Sequence, residues 1–295
     1  MKKIILEVLV FSIIIIFFGC NRDKRWEEKI TVWEAPNWTS DNKIVFLEHY
    51  YVQKWKETAT GDAQVGGSEK ITVCELNNDG TGLKKIAIVK ENEFNYGPCL
   101  GGISSSSTGD WIVLNIEDWD RGDHYPVMYV IKRDGSGLKE VGSGRNSDFS
   151  SDTFNFVYEK PNQGIWIMNR GGTNDHKIVS NGLTPTWSPK EGKIAYILGD
   201  SLVISDTSGN HLIGLKNVIF SPDWGQVDSN TICGSDGYNV NIIHLGTGNI
   251  DTLKNISTAW RSGVYWSPDA AYFIGYYNNW FVIKQTGENK WALKP

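Results

Sequence analysis

The chain has 295 residues, a formal net charge of -5 and 40% hydrophobic residues, enough apolar material for one large all-β domain or two small ones. Its 29 lysines and arginines are scattered, and without a basic stripe to meet phosphates a nucleic-acid-binding role is excluded. The notable excesses are glycine and tryptophan, and the mild acidity mostly reports solubility.

The first twenty residues differ from the rest: Lys2 and Lys3, an apolar run from Ile4 to Phe18 broken by Glu7, then Gly19 and Cys20. The run is short for a bilayer span and reads as a secretory signal. Because it ends in a small residue and a cysteine, it resembles a bacterial lipoprotein signal, with Phe17 where leucine is usual. The resemblance implies loss of residues 1–19 and lipidation of Cys20. It further implies a cell-envelope location with the lipid as sole membrane attachment, on the periplasmic face of the outer membrane in a Gram-negative cell. An uncleaved anchor or ordinary secretion is the alternative. Labelling with a palmitate analogue decides between them, because absence of a label that depends on Cys20 contradicts lipidation there. Of the other cysteines, Cys74, Cys99 and Cys233 have no CxxC spacing, and three is no disulfide framework. A Cys74–Cys99 pair is one reading and three buried apolar thiols the favoured one.

Residues 20–34 open with a charged tether and turn apolar at Ile30 to Trp33, a short strand that could latch onto a neighbour. At Pro36 a pattern begins that returns five times, clearest in LTPTWSPKEGKIAYIL at 183–198: a large anchor, a Ser-Pro turn, then a buried strand. The anchors are Trp38, Ser105, Phe149, Trp187, Trp224 and Trp266, a mean period of about 45 residues, the range of four-stranded propeller blades. A glycine-rich turn follows each anchor by roughly twenty residues or more, as in NDGTG before Leu83 and RDGSG before Leu138, and marks a hairpin. The flanking runs alternate, as in Ile71 to Leu76, and no helical period persists. Each copy thus supplies four strands of a sheet that is apolar on both faces and must be buried between neighbours, which closes a ring. The predicted fold is all-β, a six-bladed β-propeller of four-stranded antiparallel blades over residues 35–295, with Lys290 to Pro295 as a last outer strand.

TPTWSPKEGKIAYI and VYWSPDAAYFIGY resemble the tryptophan-serine-proline-aspartate repeat of TolB-type, WD40-like propellers. The resemblance covers 36–295 and implies a six-bladed ring facing the periplasm, a fold used there mainly to bind proteins. It carries over no catalytic residue. TolB has a further N-terminal domain for which this chain has no room.

Measured from anchor to glycine-rich turn, the first two copies are longer than the rest, so two insertions enter the loops between second and third strands of adjacent blades. Glu48 to Glu69 carries Tyr50, Tyr51 and Trp55 with a small, flexible rear half, and Asn115 to Pro126 carries Asp118, Trp119, Asp120, Asp123, His124 and Tyr125. These aromatics and acids are the candidate binding rim; the alternative is a private mini-core over the blade tips. Asp118, Asp120 and Asp123 form a weak calcium candidate, lacking the glycine and distal glutamate of an EF-hand loop. No GxSxG is present, the five histidines are dispersed with only His49 and His124 able to meet, and the glycine-rich turns open hairpins instead of helices. The function expected is a non-catalytic, cofactor-free, lipid-anchored module that binds an envelope protein through the long loops of the first two blades. Carbohydrate binding or polysaccharide lysis on the same face is the alternative.

Overall fold

The computed structural model describes residues 24–58, 60–94, 101–118, 125–216, 220–224, 229–236, 238–254, 263–277, 279–284 and 291–293. Blade 1 comprises β1 (Arg25–Trp38), β2 (Lys43–Thr58), β3 (Gly61–Asn77) and β4 (Lys84–Phe94). Blade 2 comprises β5 (Gly101–Ser105), β6 (Trp111–Asp118), β7 (Tyr125–Lys132) and β8 (Lys139–Ser143), and blade 3 β9 (Arg145–Phe149), β10 (Asn155–Lys160), β11 (Gly164–Asn169) and β12 (His176–Val179). Blade 4 follows with β13 (Leu183–Trp187), β14 (Lys193–Leu198), β15 (Ser201–Asp206) and β16 (His211–Lys216). Blade 5 has β17 (Phe220–Trp224), β18 (Thr231–Ser235), β19 (Val240–His244) and β20 (Asn249–Leu253). Blade 6 has β21 (Val264–Trp266), β22 (Tyr272–Tyr277), β23 (Asn279–Lys284) and β24 (Trp291–Leu293). Each blade is one four-stranded antiparallel sheet of consecutive strands, so the six-bladed propeller expected from the repeat is the fold observed.

The turn after each inner strand explains the repeat's chemistry. In five of the six blades the residue after the anchor is a buried hydroxyl, Thr39, Ser106, Ser150, Ser188 or Ser267, and in blade 5 the sequence has Gly225 instead. In blade 6 the Ser267 hydroxyl donates to Asp269 and accepts the Tyr272 amide at 2.9 Å. Thr39 does the same with Asp41 and the Lys43 amide, and Ser150 with Asp152 and the Asn155 amide. One side chain thereby satisfies the first donor of the second strand and fixes the corner. The glycine-rich turns serve a second purpose. At Gly135 and Gly209 the backbone has positive φ and lies against the outer strand of the preceding blade, where a Cβ would sit 2.7 Å from Ile86 O and 2.1 Å from Ile178 O. A side chain there would both strain the turn and separate the blades.

Six apolar clusters occupy the six seams, one between each pair of neighbours, including Trp38, Ile44 and Phe46 of blade 1 against Ile274 and Val282 of blade 6. The ring therefore closes by side-chain packing between whole blades. Ile30 to Trp33, expected as a latch, belongs to β1 and pairs with Tyr51 to Glu48 of its own blade. The last strand predicted at 290–295 is observed as β24, paired with β23.

Blade 1 departs from the others. β2 has 16 residues where β14 of blade 4 has 6, an overhang of about 30 Å at ~3.3 Å per residue. All four strands take part: β1 stays paired with β2 as far as Arg25–Lys56, β2 with β3 as far as Thr58–Gly61, and β4 follows β3 to Phe94–Gly67. The segment 48–69, read from sequence as a loop with a flexible rear half, is instead a sheet arm beyond the blade. In the second insertion Asn115 to Asp118 complete β6, Tyr125 and Pro126 begin β7, and 119–124 lie outside the described residues. Cys74 and Cys233 are buried free thiols, Cys74 pushed up to about 12 by burial and the Glu48 charge; Cys99 lies outside the described residues.

Candidate functional site: the arm of blade 1 and the channel

Strand alternation sorts the arm's side chains onto two faces. Trp26 pairs with Trp55, Ile30 with Tyr51 and Val32 with His49, and these point the way Val45 and Leu47 do, toward blade 2. The Trp26 and Trp55 rings are stacked, 6.4 Å between centroids at 12°. Tyr50 is one residue out of phase, pairs with Thr31 and Lys70, and lies on the opposite face. The predicted cluster of Tyr50, Tyr51 and Trp55 is thus divided, with Tyr51 and Trp55 together and Trp26, missed from sequence, beside them. All four aromatics are half-buried.

The base of the arm holds a chain of ionisable groups. His49, 2% exposed, puts Nε2 3.0 Å from Glu69 Oε2 and Nδ1 3.7 Å from Glu34 Oε1. Lys90 Nζ then bridges Glu69 Oε1 at 2.8 Å and Asp118 Oδ1 at 3.0 Å, joining β4 of the arm to β6 of blade 2. Burial alone would lift the Glu69 carboxyl, but hydrogen bonds from His49 and Lys90 and their charges outweigh it and hold the group down at about 2. Burial alone would lower His49, yet bonds to Glu34 and Glu69 leave it raised, so the imidazolium is favoured. Positive and negative groups alternate along the chain, and the arm is pinned at its root.

Of the predicted rim, Asp118 is buried and bound to Lys90, Tyr125 pairs with it across the blade 2 hairpin, and Trp119, Asp120, Asp123 and His124 lie outside the described residues. The calcium candidate therefore retains one described member, engaged by an ammonium. Among the described residues no group of three or more His, Cys, Asp or Glu side chains is placed to hold a metal ion.

A second assembly of polar groups lines the channel. The anchor of each inner strand faces its blade seam, so the residue before it faces the axis: Asn37, Ser104, Asp148, Thr186, Asp223 and Tyr265. Hydrogen bonds run between blades all the way round. Asn37 donates to Ile103 O, Ser104 to Asp148 Oδ1, and Thr186 Oγ1 and Trp187 N to Asp148 Oδ2. Trp224 N donates to Thr186, Trp266 N to Asp223 Oδ2, and Trp38 Nε1 to Tyr265 O, which closes the circuit. A cavity of about 70 Å³ within this belt touches all six inner strands. Asn115, from the second strand of blade 2, reaches it because position 102 is glycine; a Cβ there would stand 2.8 Å from Asn115 Oδ1. That buried oxygen has no hydrogen-bond partner. Burial pushes the Asp148 and Asp223 carboxyls up, Asp223 further because it also feels the charge of Asp148, and burial and both acids raise the Tyr265 phenol. The channel can accept protons or donors, and among the described residues its acids are balanced by hydrogen bonds instead of cations.

No family model matches the chain, and no curated protein matches it. Among solved structures it is similar to a chain of the mitotic checkpoint complex, with a TM-score of 0.53 at 11% identity over 99% of this chain and 89% of that one. It is also similar to TolB from Acinetobacter baumannii (TM-score 0.38, 15% identity, 88% of this chain and 53% of that one). A third likeness is to oligogalacturonate lyase from Vibrio parahaemolyticus (TM-score 0.48, 10% identity, 86% and 95%). What this chain shares with such structures is the propeller fold.

Proposed function

We propose that the protein is a non-catalytic binding module, held at the cell envelope through Cys20, that engages a protein partner with the arm of blade 1. The observation that carries this reading is the arm itself. In blade 1 the β2–β3 hairpin runs about 30 Å past the length of the blade 4 strands, flanked by β1 as far as Lys56 and by β4 as far as the level of Gln53, and it is fixed at its root by the Glu34–His49–Glu69–Lys90–Asp118 chain. A rigid platform bearing Trp26, Tyr51 and Trp55 buries much area at low entropic cost when a partner covers it. A function that used only the ring would have no need of it.

The test places a photoreactive amino acid at Gln53 on the arm and, separately, at Ser208 on the opposite end of blade 4, in the native cells. A discrete crosslinked protein from position 53 and none from 208 is expected. Equal crosslinking from both positions, or retention of that adduct's partner after 51–68 is replaced by an Asn-Gly turn, contradicts the reading. Binding of the intact arm to a glycan array, lost in the shortened variant, would assign the Trp26–Trp55 face to carbohydrate instead.

A further inference from the structure

The repeat allows equivalent clefts to be compared, and one pair differs in a way that specifies a ligand. Arg133 and Arg170 occupy the same place in the glycine-rich turns of blades 2 and 3. Arg133 N donates to Asp110 O and Arg170 N to Phe154 O, each just before the second strand, and the turns close alike through Gly135 N to Lys132 O and Gly172 N to Asn169 O. Both guanidinium groups reach toward the preceding blade. Arg133 meets two carboxylates there, Glu75 through Nε and Asp41 through Nη2, with Lys43 also on Glu75.

In the next cleft the register puts Val130 where Glu75 stands, Thr108 where Asp41 stands and Trp111 where Lys43 stands. Arg170 therefore loses both acids. Its guanidinium lies 4.5 Å from the Trp111 ring centre and 5.8 Å from that of Phe154, and Nη1 donates to Thr153 O at 3.0 Å. Asp152, which feels the Arg170 charge, has Oδ1 bound to Ser150 and to the Phe154 amide. The cleft is a cavity of about 450 Å³ lined by Trp111, Val130, Lys139, Phe154 and Arg170 among others, with two cations and no carboxylate among the described residues of its wall. Phe154 is 49% exposed along it.

We infer that the cleft between blades 2 and 3 binds a small carboxylic acid with an apolar or aromatic body. Arg170 takes the carboxylate that Glu75 supplies internally one blade earlier, Lys139 adds charge, and Trp111, Val130 and Phe154 cover the body. Planar guanidinium and carboxylate suit one another in two parallel hydrogen bonds, and a guanidinium already held by an aromatic face loses little freedom on binding. The volume falls within the range of small-molecule sites. The site lies at the turn end of the blades, opposite the arm, and stands independently of the arm's role.

The probes are benzoate and its neutral isostere benzamide, titrated into the full chain with binding followed by saturation-transfer NMR and calorimetry. Benzoate is expected to bind at least about tenfold more tightly than benzamide, and Arg170→Gln to remove that preference, since a charge-assisted pair outweighs a neutral contact. Val130→Glu installs internally the acid of the neighbouring cleft and, if its thermal midpoint shows a folded ring, is expected to abolish benzoate binding. Equal affinity for the two probes, benzoate binding unchanged in Arg170→Gln, or no benzoate binding to the native chain overturns the inference.

Discussion

The channel and the base of the arm both bury ionisable groups, and they accommodate them in opposite ways. At the arm, cations alternate with acids through His49 and Lys90, so Glu69 is held far down at about 2. In the channel, Asp148 and Asp223 have hydroxyls and amides for company; burial raises both, and the charge of Asp148 raises Asp223 further. The first arrangement ties two blades together by charge; the second closes the ring with hydrogen bonds whose acceptors are uneasy as anions. Removing one partner should therefore be costly at the arm and mild in the channel.

The largest effect is expected from Lys90→Met, which strands Glu69 and Asp118 without their shared ammonium. Loss of an ion from a buried network costs about 3–5 kcal/mol, and the urea midpoint should fall with little change in slope. A loss under about 1 kcal/mol would mean that water already solvates the network. Asp148→Asn comes next, at about 1–2 kcal/mol, because one carboxylate accepts from Ser104, Thr186 and Trp187 and an amide cannot reproduce all three. Asp223→Asn should be smallest, within about 1 kcal/mol of the parent at pH 7 and of stabilising sign, because the amide oxygen can still accept the Trp266 N–H and the repulsion is gone.

The pH profile sharpens the contrast. Glu69 is depressed in the folded chain, so its contribution is present above the ordinary carboxylate value of 4.5 and is lost as pH falls toward about 2. Asp223 is raised, so its contribution is present at low pH and is lost as pH rises through its folded value. Between pH 7 and pH 4, denaturant titrations of Asp223→Asn should show a steeper loss of stability on acidification than the parent, and those of Glu69→Gln a shallower one. Parallel curves for the three proteins would contradict both assignments.

The ring was legible because its signal is local and repeated. Trp187 with Ser188, and Trp266 with Ser267 and Asp269, are corners whose chemistry closes within a few residues. The arm was not, because Ala63, Gly66 and Gly67 have low strand propensity and become a strand through pairing with β2 and, at Gly67, with β4. The alternation in the sequence from His49 to Trp55 was the available signal, and it would have separated Tyr50 from Tyr51. The channel residues were hidden for another reason. Asp148 and Asp223 stand 75 positions apart in the chain, and only ring closure brings them within reach of one another's charge. Even so, they occupy a definable place, one residue before an anchor. The lack of a carboxylate to match Glu75 beside Arg170 became visible once the register placed Val130 in the position equivalent to Glu75.

The direction in which β1 enters has a mechanical consequence. Residue 24 lies at the far end of the arm, where Arg25 faces Lys56, and β1 runs from there toward the ring before turning at Thr39. Tension applied through residue 24 away from the arm's root loads the β1–β2 pairs end-on at the tip, whereas tension directed back over the ring peels them one at a time. Pulled the second way, the chain yields from Trp26 inward and reaches the Glu34–His49 contact at the root, so the arm is a strip that lengthens under load before the seams behind it are strained.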